Sequence, residues 1–401
     1  MTINLNQVIS DLEQASGSHD NFYRQQRHYC QEAVERFKNI TLSNAELLEL
    51  IQSATNLKNR TVRSAAPLSE PVAQIFAPPS SASSKIILVG IDGSHIAPEP
   101  ARGRIEFALT NLVGVSCIID TNGTLHDISY HPATNIYVDN DLIMDDGEWM
   151  DGEDISLIRS IRERELLASV MQQREGNNGS VLGILDGTLN IWRPMRNESE
   201  TIRDYRTRAS QIFEDMRLRN HVCLAYLDRP NSDQVLQMLR IAAPVEINNS
   251  EKPETRPRKG YPGLRDRVLF EALLPPGYRS AIYRLLSQGL DSSVQEIPIC
   301  FFYINVASKN EGSIIGRVEL PIWASAPEIV DLIHITLVRQ CSLVPGFAYP
   351  LILARADEES WLGPSDRAIL DQLIYSHLGF ETVAMPRPKN LMKMVTRGWQ
   401  K

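Results

Sequence analysis

The chain has 401 residues, 43% hydrophobic and 22% charged, with a formal net charge of −8. That is enough chain for one elaborated domain or two to three smaller ones, in an ordinary globular composition whose apolar runs are all too short to span a bilayer. An acidic balance excludes global attraction to nucleic acid or anionic membrane, so any polyanion must be bound through a local basic surface or through metal ions.

The first residues, MTINLNQVISDLEQ, carry acids where a secretory signal carries bases. Cys30, Cys117, Cys223, Cys300 and Cys341 lack paired spacing, which argues against a zinc site or disulfide framework and for a reducing, cytoplasmic location. Residues 1–65 are predicted as a helical extension. Val8, Leu12, Phe22, Tyr29, Val34 and Phe37 recur at helical spacing, and so do Leu47, Leu50 and Ile51, with Thr41 or Ser43 as a cap for a second helix. Residues 66–84 are rich in Ala, Pro and Ser and are predicted as a linker. An apolar run from Lys85 then ends at Asp92 in IDGS.

Strands are predicted at Arg104–Leu109 and Val113–Ile119, followed by an acidic loop over Asp139–Asp154. Residues 155–174 (ISLIRSIRERELLASVMQQR) form a helix whose buried side is read from Ile158, Ile161, Leu166 and Val170. A second apolar run, VLGILDG, ends at Asp186. Further strands are predicted at 222–228, 300–306 and 317–323, and helices at 202–217, 232–242, 264–274, 326–340 and 364–378, with a Pro- and charge-rich insert at 251–260. Strands alternating with helices make the chain α/β with a central mixed sheet.

IDGS and LDGT make Asp92 and Asp186 a set. A carboxylate at the carboxyl end of a strand points into the crevice where α/β proteins bind ligands, and the glycine after it permits a sharp turn and close approach. Two such carboxylates side by side are costly without a divalent cation, and oxygen-only ligands suit Mg²⁺ or Mn²⁺. The plainer reading makes both turn formers, since Asp-Gly is a common turn dipeptide. On the intervening helix, Glu163 and Glu165 project in different directions, so one of them at most faces a site. His95 is read as a turn residue, and FFYIN (301–305) as a buried strand before a base-stacking platform.

The order of strand-ending DGS, a helix with R-x-x-E, and strand-ending LDG[ST] resembles the NurA nucleases. AYLDRPNSDQVLQMLR, LRDRVLFEALLPPGYRS, FFYINV with GRVELPIW, and QCSLVPGFAYPLILARADEES extend the resemblance over residues 85–380, with a basic tail at 381–401. It implies a ribonuclease H-like mixed sheet flanked by helices, with carboxylates holding Mn²⁺ or Mg²⁺ for phosphodiester hydrolysis. Asp92 matches the first aspartate and Asp186 the second. Glu165 is the choice for the helical glutamate, with Glu163 the alternative, and Tyr349 in GFAYP matches the family tyrosine. Where the family has a histidine, this chain has Asp357, which binds a cation but donates no proton near neutral pH. The metal set implied is Asp92, Glu165, Asp186 and Asp357.

The resemblance further implies a deoxyribonuclease, with 5′–3′ exonuclease and single-strand endonuclease action on single strands and duplex ends. It implies homodimers working with a HerA-type hexameric ATPase in end resection during double-strand break repair, in the cytoplasm and away from membranes. Arg265, Arg267, Arg279, Arg256, Arg258 and Lys259 are candidate DNA contacts, as are Arg387, Lys389, Lys393 and Arg397. Two rivals stand beside this: a NurA-like subunit with a decayed site that docks onto a ring ATPase, and an actin-like nucleotide-binding protein, whose C-terminal Gly-Gly motif is missing here.

Overall fold

A computed structural model describes residues 3–55, 63–80, 85–98, 106–176, 179–189, 200–243, 260–287, 298–308, 311–344 and 346–378. The insert bases Arg256, Arg258 and Lys259 and the tail bases Arg387, Lys389, Lys393 and Arg397 lie outside these residues. In chain order the elements are α1 (Leu5–Lys38), α2 (Asn44–Thr55), β1 (Arg63–Pro67), β2 (Ile75–Phe76), β3 (Ile86–Ile96), β4 (Phe107–Ile119), β5 (Leu125–Val138), α3 (Gly152–Gln173) and β6 (Ser180–Asp186). They continue with α4 (Glu200–Leu218), β7 (Val222–Asp228), α5 (Gln234–Ala242), α6 (Asp266–Leu273), β8 (Arg279–Ser280), β9 (Tyr283–Ser287), β10 (Ile299–Asn305), β11 (Ile315–Pro321), α7 (Pro327–Ser342), α8 (Leu351–Ser360) and α9 (Pro364–His377). No helix among the described residues is long and apolar enough to cross a membrane.

The chain divides into two compact units. One comprises Met1–Pro79, Leu227–Asp291 and Pro298–Ala348, the other Ser80–Tyr226, Ser292–Ile297 and Tyr349–Lys401.

In the first unit β1, β9, β10 and β11 form an antiparallel sheet, with β8 pairing β10 and β2. Phe37, Leu47 and Ile51 pack with Val235, Leu239, Phe270, Phe301 and Tyr303 into one core. Ser43 starts α2 through a reciprocal pair: its hydroxyl and amide donate to Glu46 Oε2, while the Glu46 amide donates back to Ser43 Oγ. Val8, Leu12 and Phe22 are exposed, so the apolar stripe at the start of α1 faces solvent and only its later turns join the core. Residues 66–80, predicted as linker, carry β2 and Glu70, which binds Arg279 at 2.8 Å. Arg279 is 2% exposed, which removes it from the candidate DNA contacts. Phe301, Phe302 and Tyr303 are fully buried, as a central strand requires and a stacking platform does not.

Asp266, also fully buried, accepts from the amides of Val235 and Leu236 at the start of α5 and from the Tyr303 hydroxyl. Its carboxylate satisfies helix donors that would otherwise be buried without partners. Asp266→Ala is expected to destabilise the protein by about 3 kcal/mol, read as a lower midpoint in urea. An unchanged midpoint would contradict this account.

In the second unit the sheet order is β7-β6-β3-β4-β5. β3, β4 and β5 form an antiparallel meander, whereas β6 runs parallel to both β3 and β7. α3 connects β5 to β6 and α4 connects β6 to β7. Strand alternation sends successive β3 side chains to opposite faces. Gly90 lies against Ile352 of α8, while Gly183 lies against Leu167 and Met171 of α3, so the two helices cover opposite faces. Parts of the sequence-based outline change here. The two strands predicted over 104–119 are one, β4, with residues 104–105 outside the described set, and β5 and α8 were not predicted at all.

Candidate active site

Asp92 does not end its strand: β3 continues to Ile96, paired throughout with β4. What ends is the parallel ladder with β6, whose last pair is Ile91↔Leu185. Asp92 and Asp186 are the next residues on their strands. They therefore sit side by side on one face, about 4.8 Å apart by strand spacing. Tyr226 of β7 continues the row as the partner of Asp186.

The two glycines after these aspartates do different work. Gly187 has φ +88°, a left-handed turn that ends β6. Gly93 stays in the extended strand, and what it supplies is space. A Cβ there would lie 3.1 Å from Glu163 Oε1 and 2.3 Å from Leu112 Cδ2. The missing side chain lets Glu163 of α3 come up against β3 next to Asp92.

The helix glutamates thus separate. Glu163 is buried, and its Oε1 accepts from Arg159 at 2.8 Å. Burial pushes its carboxyl up to about 7, helped by the charges of Asp92 and Asp186 and opposed by Arg159 and Arg164. Glu165, the sequence choice, points elsewhere and pairs with Arg162 at 2.9 Å and Arg208 at 2.5 Å. The structure places Glu163 against Gly93, one residue along β3 from Asp92 and near enough to feel both aspartates' charges, and turns Glu165 elsewhere.

Burial likewise raises Asp92 to about 7, with Asp186 and Asp357 adding repulsion while the Gly93 amide and Arg159 lower it. Asp186 is raised chiefly by burial, and next to that by Asp357, although its tip remains open to solvent. Tyr349 donates its hydroxyl to Asp186 Oδ1 at 2.8 Å and packs edge-on against Tyr226, with ring centroids 5.7 Å apart. Burial and these anions hold the Tyr349 phenol well above its usual range. Asp357 projects from α8 into solvent, yet its charge acts on both aspartates. It lies in a helix, not in a loop.

Two residues that sequence reasoning passed over complete the surroundings. Arg159 donates to Gly93 O and to Glu163. Arg164, 3% exposed, donates to the carbonyls of Ser160, Thr188 and Leu189, so it fixes the chain just after Asp186. Only an i, i+4 spacing to Glu163 marked Arg159 in the sequence; nothing marked Arg164. His95 lies on β3, with its pKa lowered by burial and by Arg159, which favours its neutral form.

Among the described residues, no three His, Cys, Asp or Glu side chains stand close enough to hold an ion as they are. Glu163 and Asp186 are instead engaged by Arg159 and Tyr349. The electrostatics nonetheless suit a cation. Carboxyls raised by burial and mutual repulsion mark a cluster short of positive charge, and its donors are oxygens.

The NurA domain family model matches residues 87–360. Among solved structures, the chain is similar to the NurA nuclease from Sulfolobus solfataricus, with 12% identity and a TM-score of 0.51 over 94% of this chain and 98% of that chain. It also matches a NurA crystal structure with manganese at 11% identity and a TM-score of 0.36, covering 75% of this chain and 91% of that one. A NurA structure bound to dAMP and manganese matches at 11% identity and a TM-score of 0.33, covering 87% and 98%. No curated protein matches. At such identities the first likeness is one of fold alone: a mixed sheet flanked by helices.

Proposed function

This chain belongs to the NurA family, and from that premise we propose that it is a divalent-metal-dependent deoxyribonuclease. The observation that carries the reading is that Asp92 and Asp186 directly follow the last pair of the parallel ladder on neighbouring strands, with Glu163 admitted against Gly93 next to Asp92. The sheet order β7-β6-β3-β4-β5, an antiparallel meander followed by two parallel strands, supports reading this unit as ribonuclease H-like.

Asp92, Asp186 and Glu163 would hold Mn²⁺ or Mg²⁺, with Asp357 adding charge from α8. A bound divalent cation lowers the pKa of water and stabilises negative charge on the attacking and leaving oxygens of a phosphodiester. The protein's own part is to arrange charge. Tyr349 orients Asp186 through its hydroxyl, Arg164 fixes the backbone after Asp186, and Arg159 and Arg164 offset the repulsion among the carboxylates. With Asp357 in place of an imidazole, proton delivery to the leaving oxygen would fall to solvent.

In line with the family, we read the substrate as DNA single strands and duplex ends, cleaved by exonuclease and endonuclease action during end resection. The chain would act as a cytoplasmic homodimer with a HerA-type translocase. Residues 85–380 would carry the nuclease fold, 1–65 would be an accessory helical segment, 66–84 a connection and 381–401 a basic tail. Purified protein incubated with labelled single-stranded DNA is expected to cleave with Mn²⁺ or Mg²⁺ and to stop on addition of EDTA. Absence of cleavage with either metal, in a folded protein that still binds a ring ATPase, would favour a docking subunit instead.

A further inference from the structure

We propose that Arg159 is a positioning residue of this site, holding the Glu163 carboxylate against β3 beside Asp92; the inference rests on the metal-dependent reading above. A single terminal nitrogen, Nη1, donates to the Gly93 carbonyl at 2.5 Å and to Glu163 Oε1 at 2.8 Å. Gly93 directly follows Asp92, so one guanidinium ties the main chain of the strand to the carboxylate of the helix. Arg159 and Glu163 are four residues apart on α3, which puts them on one face before any tertiary contact forms. The fold adds the Gly93 carbonyl, which fixes where the pair can sit.

Arg159 makes these two bonds through Nη1 at the expense of another donor. Its Nε is buried without an acceptor among the described residues. The Arg159 side chain is 24% exposed and the Glu163 side chain 9%, so the ion pair is largely shielded from solvent. The described residues give Glu163 Oε2 no hydrogen bond. The clamp therefore occupies one oxygen and leaves the other to a ligand.

A cation that merely sat nearby would act in the opposite direction. A guanidinium repels a divalent ion, so deleting an idle one tightens metal binding. Deleting a positioning one weakens it, because Glu163 regains its rotamers and the third carboxylate is no longer presented; orienting partners of metal ligands are typically worth about 10–100-fold in affinity. The direction of one measured change separates the two roles.

The test is titration of the full-length protein with Mn²⁺ alone, without DNA, followed by calorimetry. Arg159→Gln is expected to bind Mn²⁺ at least about tenfold more weakly than the unaltered protein. Arg159→Lys, which keeps the charge on a shorter stem, should fall between the two. In a Glu163→Gln background, adding Arg159→Gln should change affinity by less than about twofold, because the residue acts through Glu163. Arg159→Gln binding Mn²⁺ as tightly as the unaltered protein, or more tightly, overturns the proposal. So does a full further loss in the Glu163→Gln background. Should Arg159→Gln fail to fold by circular dichroism, Arg159→Lys decides alone: wild-type affinity overturns the proposal and weaker binding supports it. A folded wild-type protein that binds no Mn²⁺ is a separate result, which removes the metal reading and this inference with it.

Discussion

Asp92→Asn is expected to lower metal-dependent DNA cleavage by about 10³-fold or more, while raising the melting temperature of the metal-free protein at pH 8. Both effects come from one environment. Burial, Asp186 and Asp357 raise the Asp92 carboxyl to about 7, from an unfolded value near 4. A raised acid pKa means that the fold favours the neutral form. The stability this contributes is complete below about pH 4 and is lost as pH rises through about 7. At pH 8 the wild-type protein carries an ionised carboxylate it would be more stable without, and asparagine removes it. The variant's gain in melting temperature should therefore be present at pH 8 and vanish near pH 4. Asp186→Asn should abolish cleavage likewise, since asparagine still accepts from Tyr349 but brings no charge. Near-normal cleavage by either folded variant would end the metal-site assignment. A melting temperature for Asp92→Asn that falls at pH 8 would show that Asp92 is held by a countercharge instead of repelled.

The two helix glutamates should differ sharply. Glu163→Gln is expected to reduce cleavage by about 10²-fold or more, because it removes a buried carboxylate beside Asp92 while keeping its shape. Glu165→Gln should leave the rate within about threefold, because it breaks only partly exposed pairs with Arg162 and Arg208. The measurement is the initial rate on single-stranded DNA at saturating Mn²⁺. If Glu165→Gln proves inactive and Glu163→Gln active, helix and site are arranged otherwise than described.

The sequence left Glu163 and Glu165 open for a physical reason. An amphipathic pattern identifies a buried face only when the opposite face is wet. α3 is covered on more than one side, and Glu163 and Arg164 are buried with its apolar residues: Ile155 and Ile158 pack with Ala108 of β4, while Leu157 and Ile161 pack with Ala209 of α4. Leu166 was read as core, yet it is only half-buried and its neighbour Leu167 is fully buried. With both faces covered, periodicity points nowhere in particular.

β5 was missed because its polarity does not follow its burial: Ile128, Tyr130 and Ile136 face outward, while Ser129, His131 and Ala133 take the half-buried positions. α8 was missed because it is only ten residues long, starts after a proline and ends in a cluster of acids, so it carries little helical periodicity. Asp357, matched to a site position without any assigned element, stands on this helix.

What the sequence determined by itself was local. Apolar runs broken by Asp-Gly specify buried strands that carry a carboxylate, and the order of those units along the chain carried the family resemblance and the α/β class. Only the tertiary structure decided which carboxylates meet. Asp92 and Asp186 are adjacent because β3 and β6 pair in parallel at one register, and a slip of one residue would send one of them to the other face. Glu163 joins them because Gly93 leaves room for it and Arg159 holds it there. Register, clearance and a shared hydrogen bond belong to pairs of segments far apart in the chain, so no single stretch of sequence contains them.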